Sequence, residues 1–411
     1  MSALADEVLP LIRTRADLWR WNAANAHGAQ MHEAVQLLRD ALDREDAATV
    51  LIVTQKAIAS SMSVIMRADD SSGIIGDACR DLLDLHPVVA AREKPPTGKL
   101  ADWMIRFQFD NDCDYFHIDP VAYAPALGDL GMAAYRKRLA EIEAGLGPRP
   151  SESDRWPSPH SGEWFTLDYN AQRLAIHDRD IEEIIRTHVR DGQVPAWLQD
   201  TAEALAEIGE TDLAIDWARR AAQHPGGGHQ ALKAGEYWCT LLADHRPHAE
   251  LLLARLAVFR HWPSSSTAAR LHQDARNAWP DYRDEVMTAL ANRPRDAVVF
   301  AQHHLRDVPL AWELAHSLGL DSDRAWSDLG KAYEKVDPLA VIPVYARLVE
   351  HELEPANAQN YRYAARRLAR MRRLATGTEK ASEVDQLIAE LRETHRRRPR
   401  LQQEFTRAGL P

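Results

Sequence analysis

The feature that most limits what this chain can fold into is the spacing of its apolar residues. They recur at three and four almost throughout and never alternate with period two for long enough to build a sheet. From Met31, the residues Val35, Leu38 and Leu42 line one stripe, with Glu33, Arg39, Asp40 and Arg44 between them, the pattern of a surface helix with one buried face. Ile74, Ala78, Leu82 and Leu85 share another face; Ser71 and Ser72 are expected to cap its start and His86-Pro87 to limit its end. Residues 130–146 read similarly. Leu51-Ile52-Val53-Thr54 resembles a strand in isolation, but it continues into Ile58, Met62 and Ile65 at helical spacing. The expected fold class is all-α.

One stretch interrupts the helices. Residues 147–162 hold four of the 22 prolines together with serines and no periodicity, and proline forbids helix continuation. The expected organisation is therefore a helical N-terminal domain (1–146), a Pro/Ser-rich linker (147–162) and a helical-repeat domain (163–411). A smaller break at Pro225-Gly226-Gly227-Gly228 reads as a turn between helical hairpins. Residues 197–225 read as two short helices around Gly209, with Trp197 and Trp217 as interhelical packing and Ala206, Ala214, Ala218 and Ala221 where helices meet. Trp326, Leu329, Gly330 and Tyr333 have the W-x-x-L-G-x-x-Y order of a tetratricopeptide first helix: aromatics fill the space between helices while glycine admits a close neighbour. Ala340 and Tyr345 stand near the second-helix packing positions. Helices of similar length are expected over 230–242, 249–261 and 265–279. Two good repeats make a degenerate tetratricopeptide-like α-solenoid, in which neighbours stack because one pair cannot bury its face alone, leaving a concave surface.

The tail carries a family resemblance. Residues 325–353, 357–374 and 387–410, closing on a basic His395-Arg396-Arg397-Arg398 run and a short last helix, resemble the helical region that follows the finger in bacterial SWIM-type zinc-finger proteins. Segments 67–86 and 101–128 look like uncharacterised bacterial helical proteins sharing that tail. The finger itself needs Cys-x-Cys followed by Cys-x-His, and no two of Cys79, Cys113 and Cys239 lie within thirty residues of each other. The resemblance thus implies a helical scaffold without zinc and supplies no catalytic residue.

Composition bounds the function classes. An odd, scattered set of three cysteines excludes a disulfide framework and a structural zinc knot. No apolar run approaches the roughly 18 residues of a membrane span, and the first residues lack a basic n-region followed by an apolar segment. A cytoplasmic protein with no membrane partner is expected. The formal net charge of −11 is uneven: residues 362–411 hold thirteen basic and six acidic side chains.

Chemical motifs are sparse. Asp110, Asp112 and Asp114 match the opening of a calcium loop, but Tyr115 stands where glycine belongs and Val121 where glutamate belongs. The acids here, with Asp119 after them, are better read as capping a helix that starts near Asp119-Pro120. Asp69-Asp70-Ser71-Ser72-Gly73 reads as a cap rather than a phosphate cradle, since its carboxylates repel phosphate. No glycine-rich nucleotide signature, no G-x-S-x-G elbow and no H-E-x-x-H pair occurs. The eighteen histidines fit ligand spacing loosely, and no cofactor is expected. Arg362, Arg366, Arg370 and Arg373, with Arg367 beside them, align along a helix; Arg396, Arg397 and Arg398 follow one helix later. This stripe is the strongest partner signal, for an acidic protein surface or for nucleic-acid phosphates.

The first functional reading is a non-catalytic interaction scaffold that holds a protein or peptide on its repeat surface. The alternative is a nucleic-acid-binding accessory protein working through the arginine-rich helices. Third comes a metal-dependent enzyme using the acidic 110–119 segment. Nothing in the pattern sets an oligomeric state.

Overall fold

The computed structural model describes residues 2–44, 46–110, 116–151 and 159–411. Among them, ordered secondary structure is helical, apart from one isolated bridge between Leu18 and Ala68. The fold is all-α, as the apolar spacing requires. The chain divides into two compact units, 1–217 and 218–411.

The first unit contains α1 (Ala3–Ile12), α2 (Trp21–Arg44), α3 (Ala47–Ile65), α4 (Ile74–Glu93), α5 (Thr97–Phe109), α6 (Ala124–Leu146), α7 (Ser161–Asp178), α8 (Ile181–Val189) and α9 (Pro195–Glu207). Its centre is α4, which packs on α2, α3 and α6. One continuous core runs from Leu4 in α1 to Leu174 in α7. Close approach is built in at Gly28, where an added Cβ would lie 2.5 Å from Ile74 Cγ2.

Two local expectations are corrected at the ends of α4. The serines at 71 and 72 do not cap it. Gly73 occupies the N-cap position with φ 79°, and the Asp70 carboxylate reaches forward to accept from the amides of Ile75 (2.9 Å) and Gly76 (2.8 Å). One carboxylate thus serves two orphan amides, which a serine hydroxyl does less well. Nor does Pro87 end the helix, which runs on to Glu93. Pro87, Val89 and Ala90 are all buried, and that tertiary packing outweighs the lost amide. The start near Asp119 is as expected: its side chain accepts from Val121 N at 3.0 Å and opens a short 3-10 turn, Pro120–Tyr123, leading into α6.

The organisation differs from the division expected at 147–162. Of that segment, 152–158 lie outside the described residues. Arg149 within it pairs with Glu143 (2.9 Å) and with Asp168, and lies 4.8 Å from the ring of Trp164. Helix α7 then returns Trp164, Leu167 and Leu174 to the core already formed by α1–α6. The boundary between compact units comes later, inside α10 (Thr211–Ala222). The two short helices expected over 197–225 are α9 and α10, joined through Gly209 at φ 84°. Trp197 and Trp217 are both half-buried, the former beneath the Arg190 guanidinium at 4.9 Å.

The membrane expectation meets one exception. Helix α3 is long and apolar enough to cross a bilayer, with a mean hydropathy of 1.4, although Lys56 interrupts it. Half of it is buried in the protein, where Val50, Val53, Ala57 and Ile58 join the core.

The second unit follows a different plan. It contains α11 (Gly228–His245), α12 (His248–His261), α13 (Ser265–Ala275), α14 (Trp279–Leu290), α15 (Pro294–Val299), α16 (Val308–Ser317), α17 (Asp323–Tyr333), α18 (Ile342–Leu353), α19 (Ala358–Ala375), α20 (Ala381–Thr394) and α21 (Pro399–Arg407). Most pack chiefly on their neighbours in the chain, the stacking of a helical solenoid, while α21 folds back onto α19. Sequential cores result: one around Phe259, Leu271 and Phe300, another around Trp326, Tyr345 and Leu368. The starts are signalled locally, by a Ser264–Thr267 capping box at α13, by Ser322 at α17 and by Asn357 at α19.

The repeat motif packs as its residue types predict. Trp326 and Leu329 are buried, and Trp326 Nε1 donates to the Leu320 carbonyl at 2.7 Å. Tyr333 stacks on Trp312 at 4.1 Å. Gly330 faces Tyr345, and an added Cβ would lie 2.7 Å from its ring. The glycine is there because an aromatic from α18 occupies the space a side chain would need.

Candidate functional site

The contact between Gly330 and Tyr345 also lays the floor of a groove. A recess of about 360 Å³ lies among α17, α18 and α19, lined by Ser327, Lys331, Tyr345, Glu352, Tyr363, Arg366, Arg367 and Arg370. Three of the arginines picked out by their helical spacing therefore converge on one cavity.

The groove is built of side chains held in place and side chains left unheld. Arg367 is pinned. It pairs with Glu352 at 2.6 Å, lies 3.3 Å from Ser327 Oγ and sits over the Tyr345 ring at 5.3 Å. Arg370 forks onto Glu334 through Nε (2.5 Å) and Nη2 (2.6 Å), while the Tyr345 hydroxyl donates to the same carboxylate at 2.5 Å. Two-point Arg–carboxylate contacts fix direction as well as charge. Burial pushes the Glu334 carboxyl up, but Arg370 and Tyr345 outweigh it and hold it below the usual carboxylate range. Burial and the Glu334 charge push the Tyr345 hydroxyl well above its ordinary value, so it remains a neutral donor.

By contrast, Arg366 is exposed and has no ion pair or hydrogen bond among the described residues. Lys331 reaches only Asp328, at 3.3 Å on the exposed face of its own helix, a contact worth little. Tyr363 is 46% exposed.

The remaining basic residues of the tail are divided. Arg362 and Arg373 are exposed on α19 without a carboxylate partner among the described residues. Arg396 pairs with Glu393 (2.5 Å), and Arg398 donates to the Leu353 carbonyl (2.6 Å), 5.9 Å from the Tyr361 ring. Arg397 is exposed. The 396–398 run is thus partly a fastening between the end of α18, α19 and the turn before α21. Sequence reasoning missed Ser327, Lys331 and Glu334. Their signal was available, because spacings of four and three put them on one face of α17 and its C-cap residue, Glu334.

The acidic 110–119 segment is placed only in part. Asp110 caps α5, its amide donating to the Arg106 carbonyl at 3.0 Å; Asp112, Asp114 and Cys113 lie outside the described residues. Asp119 is engaged by Arg173 at 2.9 and 2.7 Å, and Arg173 also holds Glu207. Among the described residues, no group of three or more His, Cys, Asp or Glu side chains is placed to hold a metal ion.

Two buried polar clusters in the first unit are structural. Gln108, Tyr135 and Asn170 close a hydrogen-bonded ring at 2.6, 2.6 and 2.8 Å across α5, α6 and α7. His86 hydrogen-bonds through Nδ1 with the Tyr123 hydroxyl (2.9 Å) and through Nε2 with Gln55 Nε2 (3.1 Å), and its ring stacks on Trp103 at 3.9 Å. Burial pushes its pKa down to about 3, so it stays neutral. In the second unit, burial pushes the Cys239 thiol up to about 12, which makes it a poor nucleophile.

With the geometry in hand, the chain is an all-α protein whose C-terminal unit carries a cationic groove among α17, α18 and α19. No protein-family model matches it, and no curated protein matches it. Among solved structures it is matched to a circular tandem repeat protein with novel repeat topology and enhanced subunit contact surfaces. That match has 13% identity over 98% of this chain and 93% of that chain, with a TM-score of 0.16. A score this low does not make the two backbones one fold, and the architecture rests on this chain's own helices.

Proposed function

We propose that the protein is a non-catalytic interaction scaffold whose C-terminal helical stack holds a protein or peptide partner. The observation that carries this reading is the groove itself. Its inner cations are fixed by half-buried carboxylates, and its rim keeps a cation and an aromatic face open. Pre-organised walls around a few unmet polar groups suit recognition. The tetratricopeptide-like motif around Trp326 and Gly330 supports the same reading, since stacked helix pairs present extended binding surfaces. Kinship with the helical region of SWIM-type zinc-finger proteins and a cytoplasmic setting belong to this proposal. They are supported by the tail pattern and by the buried thiol of Cys239.

The test is affinity purification of the tagged full chain from its native host at about 0.15 M salt. A defined protein should co-purify in stoichiometric amount. Recovery of nothing above background would remove the support for a scaffold.

A further inference from the structure

We infer that the α17–α19 groove takes a linear peptide segment bearing glutamate or aspartate next to an apolar side chain. This rests on the scaffold reading and gives it a ligand class and a contact residue, Arg366.

Three observations converge. The first is charge. The groove presents Lys331, Arg366, Arg367 and Arg370 against a single lining carboxylate, Glu352, with Glu334 behind Arg370. Because Glu352 and Glu334 are already matched by Arg367 and Arg370, the unmatched groups are Arg366 and, but for an exposed contact to Asp328, Lys331. A carboxylate between them completes the set.

The second is size and surface. About 360 Å³ is the volume of about a dozen waters at ≈ 30 Å³ each, near the lower end of ligand pockets. It suits a few side chains of a peptide. The exposed Tyr363 ring at the rim gives an apolar neighbour somewhere to lie.

The third separates a peptide from a nucleic acid. A polynucleotide brings a phosphate at every step, and here its track would pass the fixed carboxylate of Glu352. A peptide places its charges singly and avoids it. The second basic cluster adds little free charge to the track, because Arg396 and Arg398 are held by Glu393 and the Leu353 carbonyl and Arg397 alone of the three is left open.

The experiment is a fluorescence-anisotropy titration of the full chain at about 0.15 M salt. The probes are a labelled peptide of repeated Glu-Leu-Ser, the matching Gln-Leu-Ser peptide and a labelled oligothymidylate. The glutamate peptide should bind about tenfold more tightly than its glutamine counterpart. Arg366→Glu should weaken it about tenfold, the scale of an interface hot spot. Arg397→Glu, a reversal at an equally exposed arginine outside the groove, should change it by less than about twofold. Neither exposed replacement should alter the thermal melt, so loss of binding is not loss of fold.

Absence of glutamate-peptide binding overturns the inference. So does equal damage from Arg397→Glu, which would mean diffuse attraction. Tighter binding of the oligothymidylate, weakened by Arg366→Glu, overturns it in favour of nucleic acid. Purification of the Arg366→Glu chain from the host separates the two claims. Loss of the captured partner supports the groove, whereas full retention removes the groove and leaves the scaffold reading standing.

Discussion

The two compact units solve one problem, burying helices that are apolar on one side, in opposite ways. The first gathers α1–α7 around a shared core, so helices distant in sequence depend on each other: α1 on α3, α2 on α4, α4 on α6. The second passes its core along the chain, most helices leaning on those next to them in sequence, with α21 returning to α19. The charges differ too. Residues 1–217 hold sixteen more acidic than basic side chains, whereas residues 218–411 hold five more basic than acidic ones. A shared core favours all-or-none stability, while a serial one allows local opening and leaves a surface between successive helices.

This contrast is open to direct attack. The largest expected effect is on the cores. Leu82→Ala and Leu329→Ala each remove a fully buried side chain and should each cost about 2–5 kcal/mol. Hydrogen exchange should distinguish them: Leu82→Ala lowers protection across all of α1–α7, Leu329→Ala mainly in α16–α19. Uniform loss of protection in both variants would erase the distinction between the units.

Acid should also act unequally. The folded state holds His86 neutral down to about pH 3, while the unfolded chain protonates it near 6.5. This contribution is therefore complete above pH 6.5 and falls as pH drops from 6.5 towards 3, by about 1.4 kcal/mol per pH unit. Chemical denaturation between pH 7 and 4 should show this slope in the first unit, and His86→Leu should flatten it. A slope unchanged in the variant would assign the acid response to other groups.

The smallest effect sharpens the serial side. Gly330→Ala forces a Cβ to within 2.7 Å of the Tyr345 ring and should cost about 1–3 kcal/mol through overpacking. Pairing it with Tyr345→Leu should recover part of that loss. Additive losses in the double variant would show that the glycine is not there for the tyrosine.

What the sequence makes legible follows from the range of each signal. Helical spacing, the capping residues at Ser264, Ser322 and Asn357, and the Gly330 motif are local, and the structure uses them as local chemistry predicts. The arginine row on α19 is also legible, because four residues at four, four and three share a face. Its division into pinned and open members is not. Glu334 lies 36 residues before Arg370 and Glu352 fifteen before Arg367, and only the packing of three helices brings them together. The same distance hides the Gln108–Tyr135–Asn170 ring. Pro87 misleads for the opposite reason: a strong local signal is overruled by the burial of Pro87 together with Leu85, His86, Val89 and Ala90. The boundary expected from the prolines of 147–162 reflects the same imbalance, since the return of Trp164 and Leu167 to the core is a tertiary fact.

The pinning of Arg367 and Arg370 has a consequence for selectivity. A wall that is already stiff gives up little motion when something docks against it, so discrimination there turns on fit more than on strength of attraction. Lysine at either position would preserve every unit of charge yet lose the planar fork that faces its carboxylate. The site would then keep its attraction for acids in general and forfeit its preference among them.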